Sequence, residues 1–161
     1  WLAAAAIVLA AVFGASYLAL NSRQQANLLA HQLVDSHIRS LQPGHLFDVK
    51  STDQHTVKPW FDGKLDFAPP VRDLAQQGFP LLGGRLDYLD QRTVAAMVYQ
   101  RRQHLINEFV WPSSVKPANL PATQTLRGYH IICGWNHGMT FCAVSDVSLD
   151  ELHAFVGLLN Q

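Results

Sequence analysis

The first twenty residues, WLAAAAIVLAAVFGASYLAL, carry no charged side chain. A chain with such a stretch must place one wholly apolar helix somewhere, and that limits the fold more than any feature downstream. Twenty residues at 1.5 Å rise make a helix of about 30 Å, the thickness of a bilayer's hydrocarbon core. Trp1 and Tyr17 lie towards its ends, where aromatic side chains favour the membrane interface. A secretory signal peptide is the competing reading. Its apolar region is shorter, about 7–15 residues, and it carries a basic leader and a small-residue cleavage site. No basic leader is present here, and the small residues of FGAS come too early. The expectation is a retained transmembrane helix over 1–20. Because the chain starts on Trp1 rather than Met, it is also expected to be part of a longer protein.

Residues 21–42 contain no Gly or Pro, and Ala30, Val34, Ile38 and Leu41 recur at helical spacing. This predicts a juxtamembrane helix that continues the first and stops at Pro43-Gly44. Its Leu29, Leu33 and Val34 stripe could pair with a second copy in a short coiled coil, or pack on its own domain. Residues 45–80 read as an ordered but irregular segment. Four prolines interrupt it, while Phe47, Trp60, Phe61, Leu65 and Phe67 are too many large apolar groups for a solvated linker. Within it, 71–78 (VRDLAQQG) predicts two helical turns capped by Gly78.

From residue 83 the period changes to two. The runs 83–90, 93–100 and 104–111 have short connections and predict an antiparallel meander. Gln91-Arg92 and Arg101-Arg102-Gln103 are the expected turns, with the two arginines solvated. After a Pro- and Ser-containing connection over 112–125, the runs 128–135 and 139–146 predict a second hairpin. Ser148 and Glu151 form a capping box ahead of a helix over 148–159, with Leu149, Leu152, Phe155, Val156 and Leu159 on its apolar face. The expected fold is α+β: an antiparallel sheet of about five strands with a C-terminal helix on it, occupying 43–161.

A two-residue His137-Gly138 turn would set Asn136 against Met139 and Cys133 against Cys142, on a pair without direct hydrogen bonds. That spacing suits a disulfide. Two buried reduced thiols are the other open reading, and a three-residue turn would misalign the pair.

Twelve basic residues balance twelve acidic ones without clustering, which argues against a nucleic-acid surface. Eight histidines are present, but no HExxH, no CxxC and no G-x-S-x-G elbow. His31 and His37, six apart, do not share a helix face. LLGGRL (81–86) opens a strand rather than a helix, so its glycines read as a bend or bulge instead of a phosphate loop. The stretch STDQHTVKPWF (51–61) is the best reactive candidate, because Asp53 and His55 next to Lys58 could be an acid/base or metal pair. They lack further ligands or a nucleophile nearby. The better reading is structural: Asp53 caps the turn beginning at Gln54, Pro59 stiffens the approach, and Val57, Trp60 and Phe61 anchor the loop. Trp111 and Trp135 likewise read as core rather than as a ligand box. No catalytic residue is expected, and no enzyme.

The residues 51–71 (STDQHTVKPWFDGKLDFAPPV), 78–112 (GFPLLGGRLDYLDQRTVAAMVYQRRQHLINEFVWP) and 128–155 (GYHIICGWNHGMTFCAVSDVSLDELHAF) resemble the outer domain of a bacterial family of single-pass transmembrane anti-sigma factors. The resemblance covers nearly the whole chain. It implies an inner-membrane protein with its N-terminus in the cytoplasm and the domain 43–161 in the periplasm. It also implies an upstream cytoplasmic domain, often zinc-binding, that sequesters an extracytoplasmic-function sigma factor. That domain's His-x3-Cys-x2-Cys pattern is absent from these residues, so no cofactor is expected in them. Partners implied are the bilayer, the sigma factor through the upstream domain, and an envelope protein or protease. The family usually has other residues at Cys133 and Cys142, so a bridge here would be a departure. The rival reading is a tethered periplasmic ligand-binding or interaction module unrelated to transcription. An envelope hydrolase would need a nucleophile and base that the sequence does not display.

Overall fold

A computed structural model describes residues 2–117, 119–121 and 123–161, with the backbone alone for residues 2–6 and 8. No Gly or Pro interrupts residues 15–42, and helix α1 (Leu2–Ser40) runs unbroken for 39 residues, about 58 Å. It ends just before Pro43-Gly44, where Gly44 turns the chain at φ 81°. The two ends of α1 differ in surroundings. Phe13 and Tyr17 are 72% and 71% exposed, while Leu29, Ala30, Leu33 and Val34 are buried. Of the two uses of that stripe, the one observed is packing on the protein's own sheet.

Among the described residues no helix is long and apolar enough to cross a membrane. The transmembrane helix expected over 1–20 falls partly on Trp1 and on the side chains of 2–6 and 8, which lie outside the described residues.

The sheet has seven strands rather than about five, all antiparallel: β1 (Val49–Lys50), β2 (Leu81–Leu89), β3 (Arg92–Arg101), β4 (His104–Pro112), β5 (Gln124–Leu126), β6 (Tyr129–Asn136) and β7 (Met139–Ser145). Their spatial order is β1-β2-β3-β4-β7-β6-β5. The five expected strands form the centre. The two additional ones, β1 and β5, are the edges, and at two and three residues they are too short to show any alternation.

Two-residue turns join β2–β3, β3–β4, β5–β6 and β6–β7. Three of them have positive φ at both positions: Asp90 and Gln91 at 50° and 61°, Arg127 and Gly128 at 55° and 85°, His137 and Gly138 at 48° and 75°. This is the turn whose twist matches paired strands. The first turn therefore sits one residue earlier than expected, and the second is Arg102-Gln103, with Arg101 paired to His104. The expected bulge is present: the β2–β3 register shifts between Leu81 and Gly83.

Both faces of the sheet are covered. On β3, Val94 and Ala96 face α1, while Ala95, Met97 and Tyr99 face the other layer. A strand buried on both sides reads as a continuous apolar run. The second layer consists of α2 (Gln54–Trp60), the 69–80 segment and α3 (Leu149–Leu159). The irregular segment 45–80 thus contains a helix and an edge strand. The two turns expected over 71–78 shrink to a 3-10 turn at Ala75–Gln77, still closed by Gly78 at φ 82°. Asp73 Oδ1 accepts the Ala75 N–H at 3.0 Å, which delays the turn's start.

Candidate functional site

The stretch 51–61 is a structural anchor. Asp53 Oδ1 accepts the His55 N–H at 2.8 Å and caps α2. The His55 and Lys58 side chains face solvent. Pro59 lies in the last turn of α2, which closes with Phe61 N–H to the Lys58 carbonyl at 3.2 Å. Val57 and Phe61 are fully buried, with Trp60 packed edge-on against Phe61 at 5.2 Å. They lie on Gly84, where a Cβ would come within 2.9 Å of the Phe61 ring. The second glycine of LLGGRL therefore admits this anchor. Among the described residues no group of three or more metal-ligating side chains converges.

Two other places concentrate polar side chains in buried positions. The first is the seam between α1 and the sheet. Asp87 accepts from Arg85 Nη2 at 3.0 Å and Nε at 3.2 Å, and also from Ser36 Oγ. Arg39 reaches the same carboxylate at 3.7 Å. Asn107 Nδ2 donates to Ser40 Oγ at 2.8 Å, and Ser40 Oγ donates to the His37 carbonyl at 2.7 Å. Gln32 accepts the Asp90 N–H at 2.8 Å, and Arg127 pairs with Asp35 at 2.6 Å. Between Gln32 and Ser40 α1 is thus tied to β2, β4 and the β2–β3 and β5–β6 turns. His37 is buried, edge-on to Tyr129 at 4.9 Å, and its Nδ1 has no partner. Burial first, and the Arg85 charge second, push its pKa from 6.5 to about 4, so the ring is neutral at neutral pH.

The second place is on the opposite face. Glu108 lies in the middle of β4, between Met97 and Ala143. It is buried, its Oε2 has no hydrogen-bond partner, and burial pushes its pKa from 4.5 up to about 8. It forms part of the wall of a cavity of about 190 Å³. Next to it, the Tyr99 hydroxyl donates to the Arg72 carbonyl at 3.0 Å and fixes the 69–72 segment over the sheet.

Sequence reasoning did not single out Glu108, Asn107 or Arg85. The signal available was an adjacent Asn-Glu pair inside an otherwise apolar strand, with one side chain on each face. It also read Arg101 as solvated. Arg101 instead pairs with Glu151 at 2.9 Å and stacks over Phe79 at 4.9 Å, joining α3 to the sheet. Of the expected capping box, Ser148 Oγ accepts the Glu151 N–H at 3.4 Å, and the Glu151 carboxylate reaches back to the Ser148 hydroxyl, accepting from it at 3.3 Å, rather than to its backbone N–H. Trp111 is core as expected, whereas Trp135 is 38% exposed and donates to the Ser113 carbonyl at 2.9 Å.

The His137-Gly138 turn sets Cys133 opposite Cys142, with Cα atoms 4.1 Å apart and the sulfurs bonded. Of the two open readings, the structure has the bridge. Comparison with family models, with curated proteins and with solved structures gives no match.

Proposed function

We propose that this chain is the membrane-anchored sensory part of a transmembrane regulator, with α1 as its output element. Following the resemblance of residues 51–71, 78–112 and 128–155, the regulator is an anti-sigma factor. The observation that carries the reading is the continuity of α1. One unbroken helix carries exposed apolar side chains between Ile7 and Leu20 and ends clamped on the sheet. An exposed apolar helix face is stable only against lipid or another apolar surface, and the bilayer is the partner that the uncharged twenty-residue stretch 1–20 of the sequence would fit. A rearrangement of the domain that moves residues 29–40 would be felt along the helix, because a helix without a break transmits rotation and translation. The Cys133–Cys142 bridge agrees with a periplasmic location for the domain. A zinc-binding, sigma-sequestering domain would lie ahead of Trp1, and an envelope protein or protease would act on the periplasmic part.

The rival reading, a tethered periplasmic ligand-binding module unrelated to transcription, is favoured by the cavity at Glu108. One experiment separates the two. In the bacterial host, the codons for residues 43–161 are removed from the intact gene and a sigma-dependent reporter is followed under envelope stress. Altered output is expected. Output identical to that of the intact gene under every stress would leave the tethered module as the better reading.

A further inference from the structure

Three segments remote in sequence meet over the centre of the sheet, on the side away from α1. They are the 68–72 segment, the β6–β7 turn and Leu159 at the end of α3, and they leave the cavity of about 190 Å³. A cavity of roughly 150 Å³ accepts benzene, so this one has room for a single ring with a small substituent. Val110, Met139, Phe141 and Leu159 make most of its wall apolar.

Four polar residues line this space, Glu108, Arg72, Asn136 and His137. Glu108 is buried and its Oε2 is unpartnered. Buried polar atoms without partners are rare, and the side chain that carries this one lines the cavity, where a ligand can supply a polar partner. Arg72 is the second group. It is half-buried on the cavity wall, and among the described residues it forms no ion pair.

We propose that this cavity binds a small amphiphilic anion, a ring-sized apolar body bearing one carboxylate, which pairs with Arg72 and accepts a hydrogen bond from the Glu108 carboxyl. Burial keeps that carboxyl protonated at neutral pH, so Arg72 is the one permanent charge on the wall. A hydrogen bond from a protonated carboxyl to a carboxylate is short and strong. A cationic ligand would have to ionise Glu108 among carbon atoms and sit against the Arg72 guanidinium, which disfavours it twice. The inference does not depend on the transcriptional reading, since it concerns binding alone.

The test uses the whole chain in detergent micelles, with benzoate as probe and benzylamine and benzyl alcohol as comparators. Binding is followed by ligand-observed NMR titration. Saturable benzoate binding is expected, with benzylamine at least about tenfold weaker. Arg72→Gln should weaken benzoate by about tenfold or more. Ala68→Trp, a change at an exposed position on the cavity rim, should abolish binding with the unfolding midpoint retained. The proposal is overturned by any of three results: no saturable benzoate binding up to roughly 10 mM, benzylamine binding as tightly as benzoate, or binding indifferent to both substitutions.

Discussion

Glu108 and His37 are buried on opposite faces of the same sheet, and each is held in its neutral form. Their effects on stability therefore run in opposite directions with pH. Unfolded, Glu108 ionises above about pH 4.5; folded, it stays protonated to about 8. Its contribution is complete below pH 4.5 and is lost as pH rises towards 8, by on the order of 5 kcal/mol. Glu108→Gln should accordingly gain on the wild type between pH 5 and pH 8 in urea unfolding. A gap that stays constant with pH would mean that the carboxyl ionises freely in the folded state. His37 works the other way. The unfolded ring takes up a proton below pH 6.5 and the folded ring only below about 4, so stability falls as pH drops through that window, by on the order of 3 kcal/mol. His37→Gln lacks this loss. Its stability should approach that of the wild type as pH falls from 6.5 to 4, and equal pH slopes in the two proteins would refute the burial of the neutral ring.

The hairpins carry their own local strain. Asp90 and Gln91 occupy the left-handed region that glycine enters freely, at φ 50° and 61°. A non-glycine residue there costs about 1 kcal/mol or more. Gln91 is exposed, so Gln91→Gly should raise stability by about 1 kcal/mol, seen as a rise of a few degrees in the thermal midpoint. A lower midpoint would show that the Gln91 side chain supports the turn through contacts of its own. At the same scale, Gly134 on β6 makes room for the Phe141 ring, which a Cβ there would overlap. Gly134→Ala should cost about 1–3 kcal/mol by overpacking. In a denaturant titration, a neutral result would mean that the ring moves aside freely.

For the whole molecule the decisive contact is α1 on the sheet. Leu33 is fully buried in it, beside Leu29, Val34 and Phe109. Leu33→Ala should cost about 2–5 kcal/mol. In hydrogen exchange, the amides of residues 29–40 should lose protection before those of β3 and β4 do. If all of these amides lost protection together, α1 would be an inseparable part of the core, unable to move as an output element. The adjacent residues Asn107 and Glu108 on β4 face opposite layers, one bonded to the end of α1 and the other lining the cavity. The two buried polar places of this protein are thus one residue apart in sequence.

Local patterning determined the long helix and its stop at Pro43-Gly44, the five central strands, the helix capped by Ser148, and the Asp53 cap. Each of these depends on neighbours within a few positions, which the sequence displays directly. The opposition of Cys133 and Cys142 was legible for the same reason, since it follows from the length of one turn. Tertiary structure decided the rest. The alternation of Arg85 and Asp87 with Leu86 and Tyr88 does not say which pair is buried. Here the charged pair lies under α1, while Tyr88 is 64% exposed. The edge strands β1 and β5 exist only because longer strands offer them an edge. Glu108 became a cavity group because residues 68–72, the β6–β7 turn and α3 converge on it. These outcomes depend on which distant element covers which face, and period-two patterning carries no information about that.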